Sequence, residues 1–138
     1  MQALAPDLVL AVKSLCPADT MFGAEIRMGA FKALTKYHFK EAIDAGVVFA
    51  KTQGGHGSES RTGDIMKEIV AYGSAAREAL PGLKELIDTL NDQCKRGEFP
   101  AGELNDRRTG AVKAAITAIE AATTQPELRS ISPARSNK

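Results

Sequence analysis

Apolar residues recur every three or four positions along almost the whole chain, the spacing of one face of an α-helix. Leu8, Val12 and Leu15 predict a short first helix, with Pro6 in its opening turn, where a missing N–H costs nothing, and Cys16–Pro17 as its stop. A second helix is expected from about Ala24 to Tyr37, burying Ile26, Ala30, Ala33, Leu34 and Tyr37. A third, from about Phe39 to Thr52, buries Phe39, Ile43, Val47 and Ala50. The glycine-rich stretch Gln53 to Gly63 reads as a loop, after which Ile65, Ile69 and Tyr72 restart the pattern in a fourth helix that ends at Gly73. Leu83, Leu86, Ile87, Leu90 and Cys94 mark a fifth, with Pro81 in its first turn and Lys95, Arg96 and Gly97 as its stop. After a loop at Glu98 to Leu104, Asn105 or Asp106 is the expected cap of a sixth helix facing inward with Val112, Ala115, Ile116, Ile119 and Ala122. From Thr124 the periodicity disappears, which predicts a mobile tail or an extended strap over residues 124–138.

Composition sharpens this to an all-α domain at residues 1–123. The 138 residues suit one domain; alanine is the commonest residue, Trp is absent and aromatics are 5%. A core of small aliphatic contacts between closely packed helices follows, since alanine favours helix and disfavours strand. Lys plus Arg number 18 against 17 Asp plus Glu, so a purely electrostatic nucleic-acid binder is not expected. The longest apolar run, Ala45 to Ala50, falls far short of the roughly 20 residues that cross a bilayer. No basic lead-in precedes Leu8 to Val12, so neither an export signal nor a membrane segment is expected; the chain reads as soluble, its compartment open. Cys16 and Cys94 read as small hydrophobes rather than a disulfide framework, and His38 and His56 lack ligand spacing for a zinc site, so no metal or cofactor is expected.

A short pattern, Arg-x-Gly-x followed by Phe, Ile or Val, occurs three times: Arg27, Gly29, Phe31; Arg61, Gly63, Ile65; and Arg108, Gly110, Val112. The first and third copies extend further, Gly29-Ala30-Phe31-Lys32-Ala33 against Gly110-Ala111-Val112-Lys113-Ala114. Their spacing averages about 40 residues, the period of HEAT and armadillo units, and each copy opens the first helix of an expected pair. Tyr72 to Ile87, with its glycine turn and Ala-Leu-Pro helix start, resembles the turn and second helix of a bacterial HEAT unit. The resemblance covers about residues 24 to 122. It departs from the family in its uneven loops, above all Gln53 to Gly63, and in having no second helix after the third copy. More loosely, the chain resembles the C-terminal segment of large bacterial multidomain proteins, some of them labelled esterases.

The HEAT resemblance implies a short α-α superhelix of about six helices in antiparallel pairs, acting as a scaffold or protein-binding surface without catalysis of its own. Its first helix then looks like the second helix of a preceding unit. The expected partner is another protein or an adjacent domain, or a second copy joined through open solenoid ends. The second resemblance leaves open an accessory or ligand-binding domain of a larger enzyme. In that reading Gly55, His56, Gly57, Ser58, Ser60 and Arg61 hold an anion: glycines let backbone N–H groups converge, and the following helix offers its positive end. The stretch lacks P-loop spacing. A serine hydrolase built from Ser58 or Ser60 with His56 and Glu59 is disfavoured, because these residues are nearly adjacent and no GxSxG elbow is present. Arg27, Arg61 and Arg108 are read as structural, each paired with an acid such as Glu25, Glu59, Asp64 or Asp106; the alternative is a basic ladder along stacked helices. His38 is expected to satisfy a turn or face solvent.

Overall fold

The computed structural model describes residues 2–13, 23–53 and 57–131. Six α-helices account for most of them, and no strand is formed among the described residues: α1 (Ala5–Lys13), α2 (Gly23–Lys36), α3 (Glu41–Lys51), α4 (Ser58–Val70), α5 (Leu80–Lys95) and α6 (Glu103–Ala121). Cys16 and Pro17, the expected stop of the first helix, lie outside the described residues.

Local chemistry accounts for the helix ends. Asp7 and Lys13 sit in the first and last turns of α1, and Glu41, Asp44 and Lys51 do the same for α3, each complementing the helix dipole. Pro81 occupies the first turn of α5, and Gly97, at φ 76°, turns the chain after it. Two starts differ from expectation. Helix α4 begins at Ser58, directly after Gly57 at φ 83°, so Ser58, Ser60, Arg61 and Gly63 are helical rather than loop residues. Helix α6 begins at Glu103 after Gly102, at φ 103°. Asn105 is therefore not a cap; it is buried, and its side-chain oxygen accepts from Arg108.

The inward face of α2 is also turned from the expected one. Ile26 is 61% exposed and Tyr37 36%, whereas Arg27, Ala30, Phe31, Leu34 and Thr35 are buried. The cause is Arg27, whose guanidinium lies 4.5 Å from the Phe49 ring centroid while Nε donates to the Val12 carbonyl at 2.8 Å. A hydrophobic count cannot see a guanidinium that stacks and finds acceptors inside. Helix α3 is the most buried element, and Gly46 lets it approach α2 and α4: a Cβ there would lie 2.8 Å from the Phe31 ring and 3.1 Å from Ile69.

Helix α1 packs on α2 and α3, α3 touches α4 and α5, and α6 packs on both α4 and α5 through Val112, Ala115 and Ile119. No Cα of α4 comes within 8 Å of one of α5. The expected antiparallel contact between these two is thus not made; the 3-10 segment Gly73–Ala79 separates them in sequence, and α6 packs against each.

Residues 122–131 run as a strap across the domain, and residues 132–138 of the expected tail lie outside the described residues. Ser74 N–H donates to the Thr124 carbonyl at 2.9 Å where the chain crosses Gly73, itself at φ 60°. Further on, Arg129 N–H donates to the His38 carbonyl and Lys40 N–H to the Arg129 carbonyl, both at 2.9 Å, a parallel bridge between Phe39 and Arg129. The Glu41 carboxylate accepts from Ile131 N–H and Ser130 Oγ, and Gln2 Nε2 donates to the Ser130 carbonyl at 2.8 Å. Leu128 and Ile131 pack on the core.

Candidate functional site

The glycine-rich connection is the leading ligand candidate in the sequence, and the described part of it, from Gly57 onward, forms the first turn of α4. Gly55 and His56 lie outside the described residues. The N–H groups of Ser60 and Arg61 both donate to the Gly57 carbonyl, at 3.1 and 2.9 Å, as the first turn of α4 requires. Ser60 is exposed, whereas Ser58 is fully buried and its Oγ accepts from Arg108 Nη1 at 3.1 Å. Arg61 Nε donates to Gln53 Oε1 at 2.5 Å. Burial pulls the Arg61 guanidinium below its ordinary pKa, partly offset by the charge of Glu59.

The three repeat arginines occupy equivalent places near the starts of α2, α4 and α6, and all three reach the same stretch, Thr52 to Ser58. Arg27 Nη2 donates to Thr52 Oγ1 at 2.5 Å, Arg61 to Gln53 and Arg108 to Ser58. Gln93 Nε2 adds a bond to the Gln53 carbonyl at 3.1 Å. Arg27 is 4% exposed and Arg108 0%, so they form no basic ladder on the surface; a guanidinium inside the domain cannot reach a phosphate backbone. Among the described residues Arg108 forms no ion pair with Asp106 or another acid. Its hydrogen-bond partners among the described residues are neutral, Asn105 Oδ1, Ser58 Oγ and the Leu90 carbonyl, and its Cζ lies 3.6 Å from the Phe99 ring centroid. Desolvation lowers its pKa, with neighbouring Cys94 and Glu59 acting the other way. Among the described residues, Thr62 Oγ1 and Gln93 Oε1 are buried without a hydrogen-bond partner.

The repeat glycines behave differently. A Cβ at Gly29, Gly63 or Gly110 would meet nothing within 4 Å, so the domain's own packing does not demand glycine at these helical positions. Gly63 instead opens a groove between α4 and α6 of about 410 Å³, lined by Gly63, Met66, Lys67 and Val70 on one side and Ala111, Ala114, Ala115 and Ala118 on the other. Apolar periodicity does not mark this groove, because Ala114 and Ala118 are exposed and flank the core residue Ala115.

A second cavity of about 440 Å³ lies where the strap meets the α2–α3 turn, lined by Lys36, Tyr37, His38, Glu127, Leu128 and Arg129. His38 adopts φ 56°, the left-handed region a non-glycine residue rarely visits, and its ring packs edge-on to Tyr72 at 6.1 Å. The Tyr72 hydroxyl donates to the Phe39 carbonyl at 2.6 Å, and burial, then the charges of Glu68 and Glu41, push this phenol well above its ordinary pKa. Among the described residues no helix is long and apolar enough to cross a membrane, and no group of three metal-ligating side chains is gathered. Comparison with protein-family models, with curated proteins and with solved structures finds no match to this chain.

Proposed function

We propose that this chain is a helical interaction domain, without catalysis of its own, that receives an apolar helix of a partner protein or adjacent domain in the groove between α4 and α6. The observation that carries this reading is the lining of that groove. Seven of its eight residues lack a charge, and Gly63, Ala111, Ala114 and Ala118 keep its floor low enough for a second backbone to approach. Packed helices sit about 8–10 Å apart, and small side chains bring them to the near end of that range. Glycine inside a helix costs about 0.5–1 kcal/mol relative to alanine, so an open glycine at Gly63 fits a contact made by something other than this domain. Lys67 at the groove favours an acidic residue on the incoming helix.

The threefold Arg-x-Gly pattern and the packing of α6 on α4 support a kinship with helical-repeat arrays in which α2, α4 and α6 are the leading helices of a short superhelix, one that departs from HEAT units in the missing contact between α4 and α5, with further units, a partner or a second copy covering the ends. The arginines then serve as internal bolts, and the glycines keep the leading helices open to neighbours.

The test is selection of helical peptides displayed against the whole chain, followed by binding to Ala114→Arg and Ala118→Glu variants. Both sites are exposed, so the fold is unaffected. The expected result is a family of amphipathic sequences whose affinity falls at least about tenfold in either variant. Failure to enrich any helical family, or binding indifferent to both substitutions, removes this reading.

A further inference from the structure

We propose that the cavity between the strap and the α2–α3 turn is a binding site for a phosphate monoester. The site is independent of the α4–α6 groove. Two cations belong to it: Lys36 Nζ lies 5.7 Å and Arg129 Cζ 5.8 Å from the centroid of the Tyr37 ring. Among the described residues neither cation takes part in an ion pair, although five such pairs form elsewhere on the surface. The hydroxyl of Tyr37 and the imidazole nitrogens of His38 likewise form no hydrogen bond there, so four side chains rich in donors line one cavity of about 440 Å³ with their hydrogen-bonding capacity unused.

The surrounding backbone makes the cavity suitable for an anion. A helix C-terminus ordinarily repels negative charge through its free carbonyls. Here the Thr35 carbonyl accepts from His38 N–H at 3.0 Å and the Leu34 carbonyl from Phe39 N–H at 3.1 Å, so two of the terminal carbonyls of α2 are engaged, and the two cations offset the rest. The left-handed turn at His38 makes those bonds possible, and the strap's hydrogen bonds to residues 38 and 40 hold the Arg129 backbone beside the cavity that Lys36 also lines. The site therefore exists only while the strap is docked.

The donor set selects the ligand class. A guanidinium and an ammonium beside a phenol offer charge-assisted bonds to several oxygens at once, which suits the three terminal oxygens of a phosphoryl group. Leu128 and the Tyr37 ring offer an apolar, partly aromatic wall to the group that carries it, and Glu127 supplies one acceptor for a hydroxyl on that group. The volume lies in the range of small-molecule sites, about 300–1,000 Å³.

The test is titration of the whole chain with phenyl phosphate, inorganic phosphate and benzoate, followed by backbone amide NMR and calorimetry. Saturable binding of phenyl phosphate with Kd below about 1 mM is expected, with shifts confined to residues 36–41 and 127–131. Arg129→Gln and Lys36→Gln should each weaken it at least about fivefold while leaving thermal stability unchanged, since both side chains are exposed. Inorganic phosphate binding weaker than the ester supports an esterified ligand; equal binding of the two assigns the site to free phosphate and overturns the monoester. Benzoate binding as tightly as phenyl phosphate, no saturable binding of any probe, or binding unchanged in both variants overturns the proposal.

Discussion

Replacing Arg108 by alanine removes a fully buried cation whose bonds tie α6 to α4 and α5. The substitution leaves two buried groups without their donor, Ser58 Oγ and Asn105 Oδ1, at about 1–3 kcal/mol each. It also removes the stacked contact with Phe99, worth about 1 kcal/mol, and the packing of the side-chain stem. Relief of the guanidinium's desolvation acts in the opposite direction and absorbs part of the loss. The net destabilisation expected is about 3–4 kcal/mol, a large share of the roughly 5–15 kcal/mol typical of a domain. Arg108→Lys keeps the charge but cannot span the same acceptors, and should cost about 2 kcal/mol. Urea unfolding followed by circular dichroism measures both, and the alanine variant should melt about 10–15 °C lower. A double-mutant cycle with Ser58→Ala isolates the bond between helices and should show coupling of about 1 kcal/mol. A loss below about 1 kcal/mol in Arg108→Ala would refute the reasoning, because it would mean that the buried acceptors are satisfied without the arginine.

Four further outcomes follow from the packing and the titrating groups. Gly29→Ala and Gly110→Ala meet open space within helices and should each stabilise the domain by about 0.5–1 kcal/mol in the same unfolding assay, whereas Gly46→Ala drives a Cβ against the Phe31 ring and should destabilise it by about 1–3 kcal/mol. Gly73→Ala combines a left-handed φ with a clash against the Thr124 carbonyl; hydrogen exchange at residues 124–131 should accelerate while α3 and α5 remain protected. The Tyr72 phenol keeps its proton in the folded state above the unfolded value near 10, so the unfolded state loses protons first and stability should fall as pH rises past about 10, by about 1.4 kcal/mol per unit. Tyr72→Phe, followed by urea midpoints between neutral and alkaline pH, should lose that part of the slope, at the cost of the hydroxyl's bond to the Phe39 carbonyl.

What could be read from the sequence was what apolar periodicity records. The inward faces of α3, α4 and α5, with Ile43, Ile65, Ile69, Leu83, Leu86 and Leu90 buried, follow the helical period, and the proline and glycine signals around α5 mark its ends. The pattern misleads where a polar side chain is inside. Arg27 takes the place assigned to Ile26, and Asn105, expected as a cap, is a buried acceptor for Arg108. Glycine content over-extended the loop before α4, because Ser58 finds its bond inside the domain and the helix starts there. Both candidate ligand surfaces depend on contacts distant in sequence. The strap brings Arg129 near Tyr37 and Lys36 through backbone hydrogen bonds, which carry no side-chain signature, and the α4–α6 groove joins Gly63, Met66, Lys67 and Val70 of one helix to four alanines of another, a juxtaposition that neither helix shows when read separately. The triple Arg-x-Gly motif singles out three arginines that matter, but their partners are not the neighbouring acids the sequence suggests: they reach Thr52, Gln53 and Ser58, polar groups whose position depends on the fold.

The most direct test of the interaction-domain proposal is amide chemical-shift mapping of a selected helical peptide on the whole, isotope-labelled chain. The groove reading predicts saturable shifts concentrated at Gly63 to Val70 and Ala111 to Ala118, with residues 36–41 and 127–131 unmoved. Shifts centred on the strap or on α1 and α2, with α4 and α6 silent, would contradict it.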